Sequence, residues 1–150
     1  MRRFAHNRLI AWLAAGLWLV LVVFLMLSPG EDSLAEDLSG AFGASELTDA
    51  LGHVLLFGVL TALLFHALRL HVPAERALVV ATAFTLGLGS VLEPAQLLVY
   101  ERGAALLDLG ANWTGALLSA WLLRRIAVSP HPAEQRVRAS RRSDAPQSRR

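Results

Sequence analysis

Residues 9–27 read LIAWLAAGLWLVLVVFLML, nineteen residues without one ionisable side chain. A helix of about 20 residues, rising about 1.5 Å per residue, crosses a hydrocarbon core of about 30 Å. The run therefore has the length of a membrane span, and it offers water no polar face. Further apolar runs lie at residues 51–68, 77–92 and 104–123. The last meets the length directly and the second nearly so. The third reaches it only if its helix continues through Pro94 toward Tyr100. The pattern predicts an all-α polytopic membrane protein. Four transmembrane helices would form an antiparallel bundle over residues 1–128.

Composition agrees. At 55% hydrophobic residues and a mean hydropathy of +0.48, the 150-residue chain is too apolar for an ordinary soluble domain. Cysteine is absent, which excludes disulfides, thiol nucleophiles and thiolate metal sites. All fourteen strong bases are arginines, and their placement sets a topology. Arg2, Arg3 and Arg8 precede the first run, Arg69 and Arg76 flank the next turn but one, and Arg124 and Arg125 follow the last run. Residues 28–50 instead hold Glu31, Asp32, Glu36, Asp37, Glu46 and Asp49 with no base. Basic flanks stay on the cytoplasmic side, so both termini are expected in the cytoplasm. The acidic loop and the 93–103 turn are expected outside. The basic start also resembles a signal peptide, but an apolar run of nineteen residues exceeds the usual h-region of about 7–15. An uncleaved first helix is the reading.

Leu34, Leu38 and Phe42 recur every fourth residue in the outer loop and suggest a short amphipathic helix on the surface. Residues 129–150 are rich in Pro, Ser and Arg and are expected to be a disordered cytoplasmic tail held near anionic lipid. The tail has no stacking aromatics, so nucleic acid is not an expected partner; membrane lipids are. Within the runs, Ala111, Gly115 and Ser119 form one small-residue ridge and Ala83 and Gly87 another, both suited to close helix packing. Trp12, Trp18, Trp113 and Trp121 read as interface belts and packing.

The candidate site consists of Asp49, His53, Glu93, Gln96, Arg102, Asp108 and Asn112, polar residues in or beside apolar runs. A bilayer solvates such groups poorly, so each needs a partner, water or a function. Asp49 and His53 are four apart and share a helix face, as do Asp108 and Asn112; Glu93 and Gln96 are three apart. With the topology above, all fall near the outer ends of their helices. Most have a bland explanation: Asp49 and Asp108 suit helix N-termini, and Asn112 can bond a neighbouring helix. His53 alone is more often a packing histidine than a ligand, and His66 and His71 merit only that reading. Glu93 resists it. It sits near a helix C-terminus, where the dipole disfavours an anion, and calls for a proton or a counter-charge. Arg102 is the only strong base expected on that side, hence its expected counter-ion.

Asp49-Ala50-Leu51-Gly52-His53 with Phe57-Gly58 resembles the Asp-x-x-x-His helix of the VanZ-like family of bacterial membrane proteins. The series Glu93-x-x-Gln96, Arg102, Asp108-x-x-x-Asn112-x-x-Gly115 is similar to that family's recurring signature. The resemblance covers roughly residues 49–123. Ala50 stands where the family often has a base, and Tyr100 where a proline is common, which puts any lysine-dependent role in doubt. The resemblance implies a cell-envelope protein, engaging for example a lipid-linked precursor or a glycopeptide-like molecule, and no defined reaction. It does not carry drug resistance to this chain. This reading assigns no catalytic residues and expects no resident cofactor. Two rivals remain open. One is an intramembrane metal-dependent hydrolase or transferase in which His53, Glu93 and Asp108 hold a divalent cation. The other is a proton-coupled carrier relaying through Glu93 or Asp108.

Overall fold

The computed structural model describes residues 2–28, 46–99 and 106–128. Among them every element is helical: α1 (Arg2–Leu27), α2 (Glu46–Leu68), α3 (Ala74–Ala95) and α4 (Leu106–Leu123). A 3-10 turn, Gln96–Leu98, continues α3, and a π-helical turn, Arg124–Val128, continues α4. The expected outer surface helix around Leu34, Leu38 and Phe42, the 129–150 tail and Arg102 all lie outside the described residues.

Three helical stretches are long and apolar enough to cross a membrane: His6–Leu27, Leu47–Leu68 and Ala74–Leu98. The third resolves the question posed by Pro94. The proline lacks an amide N–H and so leaves the Ser90 carbonyl without its usual donor, yet it sits in the last turn of α3, where the chain only tightens into a 3-10 turn. At the other end Pro73, with φ −54° and ψ 144°, starts the helix, and its carbonyl accepts from the Ala77 N–H at 3.0 Å. The fourth expected span, α4, is not among the three. It has 18 residues, and Asp108, Asn112, Thr114 and Ser119 dilute its apolar content.

α2 is the hub, packing against α1, α3 and α4, with α4 its largest partner. The core is built from Val22 and Met26 of α1, Phe57, Leu60 and Phe65 of α2, and Ala77 and Ala81 of α3. Large apolar side chains such as Leu17, Val20, Leu47, Val79 and Val91 face outward, as helices do where the surroundings are as apolar as their own surface. Contacts between helices fix their directions. Trp18 Nε1 of α1 donates to the Leu56 carbonyl at 3.0 Å, and Trp12 Nε1 donates to His71 Nε2 at 3.2 Å, so α1 and α2 run oppositely. Trp113 Nε1 donates to Ser90 Oγ at 3.2 Å, linking α4 to α3.

Where α2 crosses α4, glycine is required. A Cβ at Gly115 would run into the Val54 carbonyl oxygen and lie 2.9 Å from that carbonyl's carbon. A Cβ at Gly58 would stand 3.3 Å from the Gly115 oxygen. The ridge expected on α4 is thus the contact surface at Ala111 and Gly115, both buried, with Ser119 half-buried. The ridge expected on α3 needs correction. Ala83 and Gly87 are exposed, and nothing lies within 4 Å of a Cβ at Gly87. The packed stripe is Ala81, Thr85 and Gly89, all buried. Two small-residue stripes share this helix, and periodicity alone cannot say which one meets a neighbour.

Candidate functional site

Several buried polar groups in this bundle are satisfied within their own helix. Thr61 donates to the Phe57 carbonyl and Thr85 to the Ala81 carbonyl, each at 2.9 Å. These are ordinary back-bonds of hydroxyls in apolar helices. His53 and Asn112 differ, because they reach across from one helix to another.

His53 Nδ1 lies 2.8 Å from Asn112 Oδ1, in surroundings that leave the residues 9% and 1% exposed. The amide oxygen accepts, so the ring donates from Nδ1. Asn112 Nδ2 is buried with no hydrogen-bond partner among the described residues. A buried amide donor without an acceptor costs about 1–3 kcal/mol, so a group of this kind requires a reason.

The third wall is Gly89 of α3. A Cβ there would come within 3.1 Å of both Asn112 Cβ and Phe57 Cε1, so glycine lets the α3 backbone lie directly against the pair. One turn beyond Gly89 comes Glu93, 3% exposed. One turn before His53 is Asp49, exposed, and one turn before Asn112 is Asp108, half-buried. Four residues of helix rise about 6 Å. The layout is therefore in two tiers: His53, Asn112 and Gly89 below, and Asp49, Glu93 and Asp108 about a turn nearer the helix ends. Exposure rises toward that end along α2, to Asp49, and along α4, to Asp108, whereas Glu93 on α3 stays buried.

Gln96 departs from the expected grouping with Glu93. It is 1% exposed, and its Nε2 donates to the Met26 carbonyl at 3.0 Å, close to Met26 Sδ at 4.0 Å. Its work is to pin the end of α1 to the end of α3. Gln96→Leu keeps the volume but leaves that carbonyl without its side-chain donor, and should lower stability by about 1–3 kcal/mol. Thermal unfolding in detergent checks this; an unchanged midpoint would mean the tie holds nothing.

Among the described residues no three His, Asp or Glu side chains are grouped closely enough to hold a metal ion. The three-ligand set that the metal-dependent rival requires, His53, Glu93 and Asp108, is not grouped in this way: His53 Nδ1 is engaged by Asn112, and the carboxylates lie about a turn nearer the helix ends. Gly89 and Trp113 were not singled out in the sequence as neighbours of the site. Gly89 had one available signal, its place a turn before Glu93 on the same face.

Chemically, the lower tier offers one amide donor and the second ring nitrogen of an imidazole, and the upper tier offers carboxylates. Such a set suits a neutral or cationic ligand rich in hydroxyls and amides. Comparison with known proteins finds no match to any family model, any curated protein or any solved structure.

Proposed function

We propose that this chain is a VanZ-like integral membrane protein that crosses the bacterial inner membrane four times. Its termini lie in the cytoplasm, and its polar site opens to the outer face. There it serves the cell envelope by engaging a molecule rich in hydroxyls and amides, such as a lipid-linked precursor or a glycopeptide-like compound. The single observation that carries this reading is the His53–Asn112 contact with an open amide donor, buried between helices that are otherwise apolar. Polar groups in such helices are costly, and a ligand that accepts from Asn112 Nδ2 offsets that cost when bound. The gradient from buried His53 and Asn112 to exposed Asp49 supplies a way in from the helix ends.

α4 counts as the fourth span because its contact with α2 buries Asn112, the exposed Thr114 hydroxyl is satisfied by the Gly110 carbonyl at 2.7 Å, and Leu117, Leu118, Trp121 and Leu122 face outward. An even number of spans also agrees with arginines at both ends of the chain. Reporter fusions after Gly40 and at the C-terminus should read outside and inside respectively. Both reporting one compartment contradicts four spans.

The functional test is a deletion strain profiled against envelope-acting compounds. Wild-type protein should restore the profile, and His53→Ala and Asn112→Leu, present at normal levels in the membrane, should not. Full rescue by both variants would leave the site without a role.

A further inference from the structure

The opposite end of the molecule, where α1 begins and α2 ends, carries a second feature. Between these helices lies an open cleft of about 360 Å³. Its walls include Ile10 and Ala14 of α1 and Leu63 and Leu70 from the α2 side, and Asn7 and His66 supply its polar lining. The small side chain of Ala14 opposite Leu63 leaves the gap. The Trp12–His71 hydrogen bond ties α1 to the α2–α3 turn beside it.

The charge at this end is predominantly positive. Arg8 follows Asn7 on α1, Arg69 precedes Leu70, and Arg76 opens α3; all three are exposed. Arg69 lies 5.7 Å from the Phe65 ring centroid, so its guanidinium rides on an apolar surface at the helix end. Arg125 stacks similarly on Trp121 at 4.7 Å. Glu75 is the only acid of the described residues in the 69–76 segment, and α1 has none. An apolar slot entered between polar and cationic residues matches a molecule with an acyl chain and an anionic head.

We propose that the α1–α2 cleft binds an anionic phospholipid. An acyl chain runs along Ile10, Ala14 and Leu63. The phosphate sits at the mouth, within hydrogen-bonding reach of Asn7 and His66 and in the field of Arg8 and Arg69. The proposal needs only that the chain lie in a bilayer. It is independent of the site at the other end, and either can fail alone.

The test uses the full-length chain in mild detergent. Phosphatidylglycerol and phosphatidylcholine of identical acyl chains are added in turn, and retained lipid is counted by native mass spectrometry. Phosphatidylglycerol should be retained about fivefold or more in preference, the factor expected from about one effective basic contact. Ala14→Phe fills the slot and should abolish the preference. Arg8→Gln should reduce phosphatidylglycerol retention by about fivefold. Ala83→Phe, on an exposed face of α3, should change nothing. Equal retention of the two lipids overturns the proposal, and so does unchanged retention in Ala14→Phe. If Ala14→Phe does not yield folded protein, Arg8→Gln and Asn7→Leu decide, since both positions are exposed; full retention by both overturns it.

Discussion

Gly115→Ala is expected to be among the most damaging single-methyl changes in this protein. The added Cβ meets backbone, the Val54 carbonyl, and not the movable tip of a side chain. No rotamer change relieves that contact, so α4 must move away from α2 along the largest helix interface of the chain. Overpacking of a core usually costs about 1–3 kcal/mol. Here we expect the upper end of that range or beyond, because two helix backbones must separate. The displacement would also draw Asn112 away from His53, since Asn112 lies just one turn before Gly115. Gly87→Ala is the matched control. It adds the same methyl where nothing lies within 4 Å, and removing a mid-helix glycine gains about 0.5–1 kcal/mol. Thermal unfolding of the two variants in the same detergent should shift in opposite directions. Equal shifts would mean the tight crossing is not where the structure puts it.

The second large effect is expected at the His53–Asn112 pair, and its size is set by burial. Asn112→Leu removes the acceptor from the His53 N–H and together with it the open amide donor. The ring is left with a buried donor lacking a partner, a loss of about 1–3 kcal/mol. His53→Leu alone leaves both ends of the Asn112 amide without partners and should cost a similar amount. The double variant His53→Leu/Asn112→Leu replaces both by apolar groups and should be less destabilised than the two singles summed. A coupling of about 1 kcal/mol or more supports the contact; strict additivity contradicts it. The same double variant separates stability from function. If it is stable yet inactive in the deletion strain, the pair is kept for a ligand and not for the fold.

Much of the helical plan was legible because hydrophobic length is a one-dimensional signal. Residues 9–27 carry no charge, and α1 follows directly. The last run read as directly long enough, but α4 is not among the helices apolar enough to cross, since Asp108 and Asn112 lie within its first two turns. The ends of α3 were legible in part. Whether the helix continues through Pro94 was left open by the sequence; its position in the final turn makes it only a change of pitch. The site was legible as a set of residue types at similar depth. Which of them touch was not. His53 meets Asn112 because α2 and α4 approach backbone to backbone at Val54 and Gly115, a fact of tertiary packing that no spacing within one helix contains. Gln96 turns to Met26 for a similar reason, since the 3-10 turn rotates it toward α1. His66 and His71 read as plain packing residues in the sequence. In the structure His71 receives the Trp12 indole N–H and His66 lines the α1–α2 cleft.

The central claim is that the tier of His53 and Asn112 opens toward the outer face, and the absence of native cysteine makes it directly measurable. Thiols react as thiolates and only where water reaches them. Single cysteines at positions 53, 66 and 87 would be exposed, in intact cells, to a membrane-impermeant thiol reagent. The account predicts modification of His53→Cys from outside. Gly87→Cys, on an exposed face of α3 that the account gives to lipid, should stay inert, and His66→Cys should react only after the cells are opened. Modification of His66→Cys from outside, with His53→Cys no more reactive than Gly87→Cys, would contradict it.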